Sequence, residues 1–234
     1  MTIKIHPKLT VRFLSLIILA LLLGNLFALI IKYGFHHDYV FGLAPMFDMD
    51  NENSIPTLFS SLLMIIISFL CALIAKIFKS SNKFRYYTWL GLAIIFLFLC
   101  IDEFVSIHEH FTDPVREYLN LSGLLYFSWI VPYTIIVAII SIIYLPFLLT
   151  LHRNIRWKIA LATIIFLSGA LGMESLGGYY FELNNHIKDV IFALLATIEE
   201  MLELSGLVIF IYALLSYINM EHQDLCLKVS NNMN

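Results

Sequence analysis

Six stretches of apolar residues, 10–31, 55–75, 86–106, 124–149, 157–180 and 190–218, leave this chain few ways to fold. Each is near or above the roughly 20 residues that carry an α-helix across about 30 Å of hydrocarbon at about 1.5 Å per residue. A backbone in hydrocarbon finds no water, so it must satisfy its own N–H and C=O groups. The alternating segments of a membrane β-barrel are absent from the chain. The fold class that follows is all-α: a polytopic membrane helix bundle with six transmembrane helices. Composition agrees, since 60% of the 234 residues are hydrophobic and 13% charged, against about 45–50% apolar in soluble domains. Residues 1–220 read as one six-helix domain, and 221–234 as a polar, disordered tail ending KVSNNMN. Pro132 and Pro146 are candidates to kink the fourth helix.

Basic residues orient the bundle. Lys4, Lys8 and Arg12 precede the first run, Lys76, Lys79, Lys83 and Arg85 join the second to the third, and Arg153, Arg156 and Lys158 join the fourth to the fifth. The alternate connections hold Lys32, Arg116 and Lys188 among the acids Asp38, Asp48, Asp50, Glu52, Asp113, Glu117 and Asp189. The positive-inside rule then expects both termini in the cytoplasm and the chain in the inner (plasma) membrane. Tyr86, Tyr87, Trp89 and Trp157 would lie at the inner boundary, and Trp129, Tyr179 and Tyr180 at the outer. The first run follows positive charges as a secretory signal does, but it outlasts an h-region of about 7–15 residues and reads as a retained anchor.

Several function classes drop out. A net charge of −3 without a basic stripe gives nucleic acid no footprint. Cys71 and Cys100 fall in helices and Cys226 in the tail, so no disulfide framework is expected.

The informative residues are the acids inside the runs. The third run contains CIDEFVSIHEHF. On a continuous helix Asp102, Glu103, Ser106, Glu109 and His110 share an arc of about 120°, and His108 joins them only if the helix unwinds. The fifth run contains GALGMESLGGYYFE, where Glu174 shares a face with Ala170 and Gly178. The sixth contains IEEMLELSG, with Glu199, Glu200 and Glu203 beside Ala196 and Gly206. Small neighbours let helices approach closely. Asp102 and Glu174 lie about 24 Å along their helices from the inner ends, and the sixth-run acids about 15–21 Å from the outer end. Helix tilt brings such levels together.

An ionised aspartate at mid-helix costs roughly 2.5–3.5 kcal/mol to insert. Seven acids taken at that rate exceed a typical folding stability of about 5–15 kcal/mol. No lysine or arginine lies among them in these runs, so protons, water or bound cations must compensate them. Carboxylates with one or two imidazoles on neighbouring helices form an oxygen-rich set suited to a transition metal, iron or manganese above all, with zinc also compatible. Asp102, Glu174, Glu199 and Glu203 are the first candidate ligands, followed by His108 and Glu109. Glu103 and Glu200 are candidate catalytic proton carriers. Ferritin-like di-iron bundles use Glu-x-x-His pairs that this chain lacks, so only the general chemistry carries over. A structural reading stands beside each candidate: a protonated hydrogen-bonding patch for the sixth-run glutamates, a wet helix end for His108, Glu109 and His110, an interhelical hydrogen bond for Glu174. His36, His37, Glu182 and His186 read as ordinary interfacial residues.

The loop FDMDNENSIPTLFSSLL is a candidate lid. Ser54 is placed to cap the second helix, with Pro56 in its first turn. Glu52 is placed to enter the cluster from outside, while Asp48 and Asp50 read as a solvated acidic turn.

DEFVSIHE, ENSIPTLFSSLL and EEMLELSG together resemble a pattern of uncharacterised bacterial multi-pass membrane proteins, with a DExxxxHE segment and a late EExxE helix. The resemblance implies that these segments build one site, and it implies no reaction. Two functions fit. One is a membrane-embedded metalloenzyme, an oxidoreductase or hydrolase acting on a lipid-soluble substrate from the outer half of the bilayer. The other is a proton or divalent-cation transporter using the same acids. Polar groups crowd the outer half, which favours the one-sided cup of an enzyme.

Overall fold

The computed structural model describes residues 6–36, 39 and 42–231, with side chains described except at Leu43 and 222–231. Lys4, His37, Asp38 and the last three residues lie outside the described residues, as does the Cys226 side chain. Among the described residues every regular element is helical. Six helices are long and apolar enough to cross a membrane: Pro7–Gly34, Ile55–Phe78, Lys83–Val105, Ile130–Thr150, Arg153–Leu183 and Val190–Glu221.

The first span is α1 (Pro7–Leu29) continued by a π-helical turn, Ile30–Gly34. A short α2 (Leu43–Phe47) precedes the second span, α3 (Ile55–Phe78). Ser54 caps α3 by accepting the Thr57 N–H at 3.3 Å, and Pro56 sits in the first turn, where a missing N–H costs nothing. The third span, α4 (Lys83–Val105), starts on Asn82, whose side chain accepts the Arg85 N–H at 3.0 Å. A 3-10 turn (His108–Phe111) and α5 (Thr112–Leu119) lead to the fourth span, α6 (Ile130–Thr150). The fifth span has three parts: α7 (Arg153–Leu167), a π-helical stretch (Ser168–Met173) and α8 (Glu174–Leu183). The sixth is α9, Val190–Asn231. It starts on Asp189, whose carboxylate accepts the Phe192 N–H at 3.0 Å and the Ile191 N–H at 3.1 Å. These donors, with Tyr180, hold the Asp189 carboxyl below its ordinary value.

The helix of the sixth span runs past its apolar residues, through Asn231. The fourth helix begins later than expected, at Ile130, so Pro132 occupies its first turn and only Pro146 lies inside it, unable to donate to the carbonyl of Ile142.

The core sits toward the basic end of the bundle, where the connections α3–α4 and α6–α7 lie. Leu63, Ile67, Cys71 and Ile74 of α3 meet Leu204, Leu207, Ile211 and Leu214 of α9 there, all fully buried. Trp89 of α4 closes it, packed edge-on to Phe147 at 5.1 Å and against Tyr217 at 5.2 Å. Between apolar helices, close packing rather than escape from water holds such a core, and small residues set the approach. At Gly206 a Cβ would lie 2.8 Å from the Phe166 backbone nitrogen, so α7 and α9 touch here because the residue is glycine. The outermost helix is α6, buried only at Ile130 and Phe147 near its two ends.

Candidate cation site

The site begins where α4 stops. Ser106 takes the left-handed conformation at φ 57°, and the chain folds back in the 3-10 turn that follows. The continuous helical face expected for residues 102–110 is therefore broken. His108 turns back over Asp102, while exposed His110 binds the Ser106 carbonyl oxygen at 2.9 Å. Asp102 is buried, and protein groups reach both of its oxygens. Its Oδ1 accepts the His108 backbone N–H at 3.0 Å and the Tyr133 hydroxyl at 2.8 Å, and its Oδ2 lies 3.3 Å from His108 Nδ1. Asp102, ranked from sequence as a leading ligand, thus lies directly against His108. With Nδ1 turned to Asp102, His108 Nε2 faces Glu52 Oε1 at 3.7 Å. Burial opposes charge on the imidazole, but Asp102, Glu52 and Glu174 outweigh it and hold the His108 pKa above its ordinary value.

Trp129 clamps the same ring, its indole 4.7 Å from the imidazole, and donates Nε1–H to Glu174 Oε1 at 2.9 Å. Glu174 and Glu199 face the same cavity from the fifth and sixth spans. The sixth-span acids reach this point through the π-helical stretch. At Gly169 a Cβ would lie 2.7 Å from the Glu199 carbonyl oxygen and 2.9 Å from Glu203 Cγ. Gly169 makes this approach, while Gly178, singled out with Glu174, packs against Phe127 instead.

One cavity of about 390 Å³ joins these groups. Asp102, Glu103, His108 and Glu109 line it from the third span and the turn beyond, Glu174 from the fifth, and Glu199, Glu200 and Glu203 from the sixth. Glu52 enters from the loop, against Glu109. Burial, and then the charge of Glu109, push the Glu52 carboxyl up to about 8. Two carboxylate oxygens, Glu52 Oε2 and Glu200 Oε2, are buried without a hydrogen-bond partner. The buried Ser60 hydroxyl lies beside Glu103, within reach of its carboxylate.

The lid corrects another expectation. Asp48 and Asp50 are ion-paired rather than a solvated turn: Lys32 reaches Asp48 at 2.9 Å, and Lys188 reaches Asp50 at 2.9 Å. Asn25, fully buried in α1, ties the lid to the bundle by donating to Thr197 at 2.8 Å and accepting the Met49 N–H at 3.0 Å. Glu182 is likewise bound, accepting the Gly123 N–H. Tyr133 and Asn25 were not singled out from sequence, and Trp129 was read only as an outer-boundary aromatic; the cluster of aromatics opening the fourth span was the available signal for Trp129 and Tyr133.

In the arrangement described, no three His, Cys, Asp or Glu side chains converge at metal-ligating spacing among the described residues. The donors surround a space without closing on it. The molecule is thus a helical bundle with six potential membrane spans and an acid-walled cavity at the end opposite its core. The chain belongs to the family described as Domain of unknown function (DUF8692), whose model matches residues 12–218, from the first span through the sixth. No curated protein and no solved structure matches it.

Proposed function

We propose that the cavity is a cation site, filled by a transition metal such as iron or manganese, in an inner-membrane protein that acts on a lipid-soluble substrate from the outer half of the bilayer. The observation that supports this is charge. Glu52, Glu103, Glu109, Glu174, Glu199, Glu200 and Glu203 line one cavity, while its one lysine is held by Asp50. His108 alone is placed to offset them, and it is already shared with Asp102. Glutamate side chains have the reach to converge on an ion, so loading requires rotamer changes rather than helix movement. Glu174, Glu199 and Glu203 are the ligands, with His108 Nε2 beside them. Asp102 fixes the imidazole tautomer, as carboxylates behind ligating histidines do. Glu103 and Glu200 are placed to take up and return protons. A bound metal would supply Lewis acidity or redox chemistry there.

The positive residues of the connections collect at the core end, which supports cytoplasmic termini and an outward-facing cavity. A proton or cation transporter is the second reading, favoured by the unpaired carboxylate oxygens of Glu52 and Glu200. The packed layer of Leu63, Ile67, Leu204, Leu207 and Ile211 beneath the cavity favours the one-sided site.

Elemental analysis of gently solubilised protein tests the proposal. The expected result is a retained transition metal whose stoichiometry falls in Glu203→Gln and Glu199→Gln. Protein that folds fully without metal, and takes up none when iron, manganese or zinc is added, overturns it. Carboxylate-dependent cation flux into liposomes would favour the transporter.

A further inference from the structure

The cavity is not walled by acids alone. Below them it is lined by Leu99 of α4, Val137 of α6, and Phe166, Leu167 and Leu171 of the fifth span, all half-buried. Val137 on one side and Phe166 and Leu167 on the other border the seam between α6 and the fifth span. α6 packs on α4 and α7 packs on α9, and the middle of α6 turns Ile135, Ile136 and Ile139 outward. An apolar slot therefore runs from the seam to the carboxylates. Among these carboxylates Glu200 Oε2 is buried without a hydrogen-bond partner. Trp129, Tyr133 and Phe127 also line the cavity.

We infer that this slot takes a single-chain amphiphile with a cationic ammonium head, entering sideways from the lipid between α6 and the fifth span. This rests on the reading of the cavity as a cation site and names its substrate class. Three features select the ligand. A volume of about 390 Å³ stands near the low end of the roughly 300–1,000 Å³ of small-molecule sites, room for one chain rather than a whole phospholipid. The apolar wall suits an alkyl chain. The carboxylates repel a phosphate and attract an ammonium, which aromatic faces also favour. One divalent ion leaves most of the acids uncompensated, so metal and ammonium can be held together.

The test is retention of radiolabelled dodecylamine or dodecyl phosphate by the full chain, immobilised in nonionic detergent, with metal content measured on the same sample. The expected result is at least tenfold tighter retention of the amine. Val137→Trp and Leu167→Trp, two independent ways of filling the slot, should each weaken amine retention at least tenfold and leave metal content unchanged. Equal retention of amine and phosphate by the wild type overturns the inference, as does undiminished amine retention in both folded variants. Metal retained without amine overturns the slot alone. Amine retained without metal supports the slot and overturns the metal reading.

Discussion

Asp102 shows how far a carboxylate's role depends on its second partner. Its place among the buried acids of the third run marked it as a candidate ligand; the left-handed Ser106 brings His108 back onto it, and Tyr133 donates to the same oxygen as the His108 N–H. If Asp102 aims the imidazole, Asp102→Asn should weaken metal affinity about 10–100-fold, the range for a residue behind a ligating histidine. Tyr133→Phe should weaken it less, and competition against a chelator measures both. Glu52 gives a pH signature. Its folded pKa of about 8 stands above the ordinary 4.5, so the folded state holds a proton that the unfolded chain releases. That stabilisation is complete below about 4.5 and is lost as pH rises toward about 8. In metal-free buffer the wild type should therefore lose thermal stability relative to Glu52→Gln across that window. Parallel melting curves at every pH would exclude it.

Individual spans were legible to within a few residues at most ends, because about twenty apolar residues in helical form is a strong constraint. Their interruptions were not. The π-helical stretch Ser168–Met173 leaves no mark on hydropathy, yet it sets Gly169 against Glu199 and Glu203. Nor does periodicity reveal the helix end at Val105, since the residues beyond it keep a helical pattern. The acids themselves were readable from their cost in hydrocarbon. Their supports, Asn25, Trp129 and Tyr133, look like ordinary span residues until the fold brings them together. Gly169→Ala should destabilise the bundle by about 1–3 kcal/mol, the cost of overpacking, because its Cβ meets backbone rather than a flexible side chain. Thermal unfolding in detergent measures it, and an unchanged melting temperature would mean that the π-helical stretch yields freely.

Across the whole molecule, packing and charge are segregated. One end holds the dense core of α3, α4 and α9 with the basic connections, and the other holds the lidded acid cavity. If the positive-inside rule governs this chain, a cysteine at Lys79 should react with an impermeant maleimide only after the cells are opened, and one at Asp113 should react in intact cells. The reverse pattern would turn the cavity toward the cytoplasm. What the molecule does depends on what neutralises its buried carboxylates. Titration of purified, metal-free protein with Mn²⁺, followed by the paramagnetic resonance of the free ion, asks this most directly. Wild-type protein should remove the ion from solution stoichiometrically, and the double variant Glu199→Gln/Glu203→Gln should not. A full free-ion signal from folded wild-type protein at every addition, with iron and zinc equally unbound in parallel dialysis, would contradict a metal site.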